Sequence, residues 1–454
     1  MKGGTIRGSP CVYPPSTRRS IKVDQGKHKT SADFPRKRDV ILPQRYRFNE
    51  QPLLKASLSS GPSARYFYYF DVFVRKNVFA PNTPAYNVDI QRLLGTGPEE
   101  ILHHAVVALG ALQASRAGTY SQADRKKHEL AGLEAYSTSL RALRYTMANS
   151  PAPPRLVVFW TTLLLGIFEL MNGETGDGWL MHMVHGTANA LQASGPSVCR
   201  AGLGLSFFLQ ARIFEASRAL LLGERTFLSN PEWGLLTGGA QTNDGSFENS
   251  CLEDILDIIV QCSKLRSQVV QMLERDGPLH ASQSPSDAPD LAAEGFRLRL
   301  LLELWRARYP CVPPLDSPHP YKPAKLGLSL ESLLSNVFFA AISIYLSGIF
   351  DYEMLYWQRW DIQVPTITEI EVQGHLGLIL SLTSVALHET SLSPLLFLFP
   401  LRIAGARCCE KWQMNCVQVL LTCISRDYAV AGFFRAELNG IWRLKNLEKT
   451  TTQI

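Results

Sequence analysis

The chain is predicted to be all-α, with many helices packed as layered pairs behind a disordered basic N-terminal tail. Three observations carry that prediction. No run alternates apolar and polar residues for long enough to make a convincing strand. Apolar residues recur instead at steps of three and four, which places them along one side of a helix. The periodic stretches are also punctuated by Gly, Asn and Pro where helices stop. With 454 residues, 46% of them hydrophobic and 19% charged, the chain has enough apolar material for a sizeable core.

The tail comes first. Residues 1–60 show no apolar period and are rich in Pro, Ser, Lys and Arg, the composition of a segment that stays disordered. Residues 1–55 alone carry thirteen Lys and Arg against Asp24, Asp33, Asp39 and Glu50. That local charge of +9, against +6 for the whole chain, leaves residues 56–454 slightly acidic at −3. A basic tail on a near-neutral body suits a polyanion or an import signal better than a catalytic surface. Arg36, Lys37 and Arg38, which follow Pro35, form its densest cluster, with Arg18 and Arg19 as a second basic pair. Both are candidates for nuclear import or phosphate contact.

From Ala64 the texture changes. RYFYYFDVFVRKNVF is aromatic enough for a strand, yet Tyr66, Phe70, Phe73 and Asn77 recur at helical steps. Thr96-Gly-Pro-Glu99 has the form of a capping box and opens a helix striped by Ile101, Ala105, Leu109 and Leu112. In the next segment Leu133, Tyr136, Leu140, Leu143 and Met147 fall on one helix face, with Arg141 and Arg144 off it. Asn149-Ser150-Pro151 ends that helix, since Pro cannot extend the hydrogen-bond ladder. Helices are expected over 155–171, 178–193 and 205–222, followed by the turn FLSNPEWG and an acidic helix over 251–275. A polar linker, DGPLHASQSPSDAPD near 276–290, precedes helices over 291–308, 329–360, 367–388 and 397–435. The organisation is thus a tail over 1–60 and one helical body over 61–450.

Two apolar runs, 156–171 and 333–350, approach membrane-spanning length. The first is short of the roughly 20 apolar residues a bilayer needs, and the second carries Ser335, Asn336, Ser343 and Ser347. Buried helices, with no membrane, are the expectation. Nine scattered cysteines, with Met1 opening onto KGGTIRG rather than an apolar leader, predict a reducing compartment without a disulfide framework.

Catalytic and metal-binding motifs are weak. There is no phosphate-cradling glycine loop and no G-x-S-x-G turn. His182 and His185 sit three apart with no acid between them, and His103-His104 is an adjacent pair. Cys409, Cys416 and Cys423 step by seven along an expected helix, about 10.5 Å per step, too far apart to share one zinc ion. Glu253, Asp254 and Asp257 are the one candidate for a diphosphate–magnesium site of an all-α enzyme with a central small-molecule pocket. No second acidic motif pairs with them, and a solvated helix face is the expected explanation.

Four stretches in order carry a resemblance: LGTGPEEILHHAVVALGALQAS, AYSTSLRALRYTM, TTLLLGIFELMNGETGDGWLMHMVHGTANALQASGP and RTFLSNPEWG. Together, over residues 64–235, they resemble the C-terminal regulatory region of fungal zinc-cluster transcription factors. The resemblance implies an all-helical nuclear regulator without catalytic residues, acting on promoter DNA as a homodimer or heterodimer. It also implies control of a metabolic or secondary-metabolite gene cluster. In that family DNA is read by six cysteines holding two zinc ions, followed by a basic linker. Cys11-Val-Tyr13-Pro14-Pro15 is similar to the end of such a cluster, but the five preceding cysteines are missing. One cysteine cannot hold two zinc ions, so the chain as written is expected to bind no metal cofactor. Zinc is expected only with cysteines encoded upstream; otherwise DNA is reached through a partner factor.

Overall fold

The computed structural model describes residues 63–95, 100–117, 120–149, 155–173, 186–234, 236, 250–276, 285–309 and 328–451, without the side chains of 446–451. The tail, the Thr96–Glu99 box, most of the 276–290 linker and His182 with His185 lie outside the described residues. Among the described residues every regular element is helical, so the all-α expectation holds. The one extended pairing there is an isolated parallel bridge between Val78 and Leu392.

The first layer comprises α1 (Ser63–Lys76), α2 (Asn87–Leu94), α3 (Glu100–Ser115), α4 (Gln122–Asn149) and α5 (Arg155–Asn172). A middle group follows: α6 (Ala188–Ser194), α7 (Gly202–Leu222), the single turn α8 (Pro231–Gly234), α9 (Cys251–Asp276) and α10 (Ala288–Arg308). The last group is α11 (Leu330–Asp351), α12 (Met354–Arg359), α13 (Glu369–Glu389), α14 (Leu398–Arg407), α15 (Lys411–Ser425) and α16 (Ala431–Thr451). α3 packs on α1, α4 and α5; α9 packs on α7, α10 and α11; α13 and α14 join α11 to α15 and α16. One continuous apolar core runs from Phe67 to Trp442.

α4 departs from its expected face. His128, Gly132, Ala135, Ser139 and Leu143 are buried, while Leu133 and Met147 are about half exposed (43% and 51%). Close approach is the reason. A Cβ on Gly132 would lie 3.3 Å from the Ala108 carbonyl oxygen, and Ser139 donates to the Ile101 carbonyl at 2.7 Å. Small residues therefore take the contact line with α3, and the larger stripe of Tyr136 and Leu140 packs at its flank.

The two longest expected helices are broken. The 329–360 segment stops at Asp351 and restarts at Met354. The 397–435 segment becomes α14, α15 and the start of α16. At Glu410 a capping box starts a new helix, because Gln413 accepts from the Glu410 amide at 3.0 Å while the Glu410 side chain accepts from the Gln413 amide. After α15 the chain is drawn onto the end of α5, where the Val430 amide donates to the Leu170 carbonyl at 3.2 Å.

Three helices, α5, α11 and α13, are long and apolar enough to cross a membrane by length and composition. The apolar window of α11 is wholly buried by the rest of the protein, which accounts for its composition without a lipid phase.

Candidate functional site

A cleft of about 260 Å³ opens where the first layer meets the last group. Its walls come from the end of α1 (Phe73, Arg75 and Lys76) and Asn77 just after it, Gln113 on α3, Met171 at the end of α5, the chain from Leu387 to Pro394 and the α15–α16 turn at Asp427 and Tyr428. These segments stand up to 355 positions apart in sequence, from Phe73 to Tyr428. Backbone bonds clamp them: Val78 donates to the Ser391 carbonyl at 2.9 Å, and Ser393 donates to the Val78 carbonyl at 3.0 Å.

Beneath the cleft lies a buried polar triad. Tyr428 donates its hydroxyl to Asn77 Oδ1 at 2.5 Å, and Ser393 donates to the same oxygen at 3.0 Å. Asn77 Nδ2 in turn donates to the Phe73 carbonyl at 2.9 Å, capping the end of α1. Burial raises the Tyr428 hydroxyl far above its ordinary pKa, so it remains a neutral donor. Arg116 ties together two of the segments that line the cleft. Its guanidinium donates to the Asp427 and Met171 carbonyls, setting a cation against the carbonyl end of α5.

The acidic group on α9 has a different use from the diphosphate–magnesium candidate. Glu253 and Asp257 both accept from the guanidinium of Arg212, which is 3% exposed on α7. Asp254 accepts from the Tyr309 hydroxyl at 2.6 Å. These acids fasten α9 to α7 and α10. His103 packs on Phe67 and sits edge-on to His104. Cys408 ends α14, Cys409 stands in the break, and only Cys416 and Cys423 lie on α15, so no continuous cysteine face exists. Among the described residues no group of three or more His, Cys, Asp or Glu converges. Arg18, Arg19, Arg36, Lys37, Arg38 and Cys11 all lie outside the described residues.

A model of the fungal specific transcription factor domain matches residues 65–451, nearly the whole helical body. The chain belongs to this family. An uncharacterized protein of Emericella nidulans is 28% identical over 129 residues, 28% of this chain and 27% of the relative. The chain thus spans about a quarter of the length of the curated relative it matches. No solved structure matches it.

Within this fungal transcription factor domain, two of the resembling motifs meet. Tyr136, from the AYSTSLRALRYTM stretch, donates to Glu169 of the Glu169-Leu-Met-Asn-Gly173 stretch. Burial pushes the Glu169 carboxyl up to about 7 despite that bond. Neither Asn77 nor Tyr428 stood out as functional in the sequence. Asn77 did carry a signal, a lone amide just past α1 and in step with its aromatic stripe.

His375 on α13 adds a pH dependence. Burial, then the nearby charges of Arg299 and Arg306, hold its imidazole down to about 4. The folded state keeps it neutral where the unfolded chain, at about 6.5, has begun to bind a proton. Stability conferred by this site is therefore complete above about 6.5 and is lost as pH falls toward 4. His375→Leu is expected to reduce the loss of stability between pH 7 and 4.5 by about 2 kcal/mol, read as urea midpoints. An unchanged pH slope would show that the imidazole is not the group responsible. Glu169 acts in the opposite sense, its raised pKa costing stability as pH rises from about 4.5 to 7.

Proposed function

We propose that this protein is a nuclear transcriptional regulator of a metabolic or secondary-metabolite gene cluster. The observation that carries the proposal is the family match across 65–451, on a helical body whose one acidic candidate for metal chemistry is tied up by Arg212. Promoter DNA is its target, reached directly or through a partner factor, with the body available for homodimeric or heterodimeric assembly. The basic tail supplies import and sequence-independent phosphate attraction, which adds affinity without selecting a sequence. Sequence selection then comes from the partner, or from a zinc cluster encoded upstream of Cys11. Cys11 alone does not fit two zinc ions, so no step here depends on the metal.

Deleting the gene and measuring transcripts of its neighbours tests this reading. Coordinated change across a contiguous set of genes is expected. Unchanged transcripts together with one accumulating intermediate would favour a catalyst instead. Replacing Arg36, Lys37 and Arg38 with Ala in a fluorescent fusion is expected to cut nuclear accumulation several-fold. Undiminished nuclear signal would take import away from that cluster.

A further inference from the structure

We propose that the cleft between the first layer and the last group binds an uncharged, hydroxylated organic compound of one or two rings, and that this ligand ties the two parts together. Size is the first argument. An apolar cavity of about 150 Å³ holds benzene, and drug-sized pockets begin near 300 Å³. The 260 Å³ of this cleft falls between the two.

Lining chemistry is the second argument. Met171, Leu387, Leu392 and Pro394 offer an apolar wall fit for a ring face. Asn77 and Tyr428, both at least nine-tenths buried, offer the polar floor. The capacity of Asn77 is only partly used. Asn77 Nδ2 gives one hydrogen to the Phe73 carbonyl and keeps a second, while the Tyr428 hydroxyl is taken up by Asn77 and by Ser393 Oγ at 3.4 Å. A ligand hydroxyl can therefore accept from Asn77, which keeps 6% exposure, while the fully buried Tyr428 holds the Asn77 amide in place from behind. Gln113, with its amide at the wall, adds a further donor and acceptor.

Charge is the third argument. Among the lining residues the cations Arg75 and Lys76 are matched in number by the anions Glu389 and Asp427, with His388 beside them. Such a lining draws neither a carboxylate nor an ammonium inward, which favours a neutral guest. Because the walls come from α1, α3, α5, the chain after α13 and the α15–α16 turn, an occupant touches both parts at once. A ligand that binds only this closed arrangement stabilises it by mass action. Binding stands apart from the regulatory reading, since it is measured on the purified protein without DNA or transcripts.

The test uses purified full-length protein with 2-naphthol, naphthalene and 2-naphthoate as probes. Calorimetry and probe fluorescence are expected to show saturable binding of 2-naphthol. Naphthalene should bind roughly fivefold more weakly for lack of the hydroxyl, and 2-naphthoate at least as weakly. Hydrogen exchange of the wild-type protein should slow on 2-naphthol addition at residues 73–78, 387–394 and 427–430. Gln113→Trp and Ser391→Trp, which fill the cleft without removing a side-chain hydrogen bond in the structure, should abolish binding while retaining the native circular dichroism spectrum. The proposal is overturned by no saturable 2-naphthol binding up to about 1 mM, by protection elsewhere, or by full affinity in a folded filling variant. Equal affinity for 2-naphthoate overturns the neutral-ligand assignment. A failure of any of these leaves the transcript test untouched, and the reverse holds.

Discussion

Gly110→Ala lowers stability by about 3 kcal/mol or more, as read by denaturant unfolding. A Cβ at Gly110 would lie 2.0 Å from the Tyr66 carbonyl oxygen and 2.7 Å from its carbon. Both are backbone atoms of α1, so no side chain can rotate away and the two helices must separate. That separation loosens the contact on which Phe67, Phe70 and Phe73 are buried. The same substitution at Gly440 provides the control. Gly440 is an exposed residue of α16 with nothing within 4 Å of a new Cβ. There the gain in helix propensity and the smaller unfolded-state entropy should stabilise by about 0.5–1 kcal/mol. Opposite signs for one chemical change distinguish close packing from a general intolerance of substitution. A loss below about 0.5 kcal/mol at Gly110 would mean that α1 and α3 are not in such contact.

Asn77→Leu costs about 3 kcal/mol, although it removes a single amide of similar size. Asn77 Oδ1 is the acceptor for both Tyr428 and Ser393, and the substitution leaves two buried hydroxyls without it. An orphaned buried donor costs about 1–3 kcal/mol. Tyr428→Phe should cost nearer 1 kcal/mol, because Ser393 continues to satisfy Asn77. The double variant should lose less than the sum of the two single ones, since Phe removes one of the orphans that Leu creates. Strict additivity would contradict the triad. Both changes also weaken the link between the first layer and the α15–α16 turn, so they are expected to lower the protection of amides near Val430.

Much of the helical content was legible locally. Expected helices over 155–171, 251–275 and 291–308 correspond to α5, α9 and α10 within a few residues, because each combines a 3.6-residue period with a flanking break. α2, with eight residues, was too short for that signal. The break at Glu410 was hidden because it rests on a side-chain capping bond inside an otherwise apolar run. On α4 the larger residues drew attention to the wrong line, while Gly132, Ala135 and Ser139 set the approach to α3.

The cleft was almost illegible, and for a different reason. Its floor joins Asn77 to Tyr428 and Ser393, pairs more than 300 positions apart that share no local pattern. Only the amide just past α1, in step with its aromatic stripe, hinted that something polar had to meet it. The acids of α9 show the converse case. Glu253 and Asp257 were visible as a cluster, but the residue that explains them, Arg212, lies on α7 and gives no sign in the α9 sequence.

The central claim, that this helical body belongs to a regulator acting at promoters, is tested most directly in chromatin. The full chain, tagged and expressed at its native level in its own host, would be crosslinked, immunoprecipitated and its bound DNA sequenced. Sharp enrichment at the promoters of a contiguous set of genes is the predicted result. A flat profile, with the tagged protein abundant and nuclear, would contradict it.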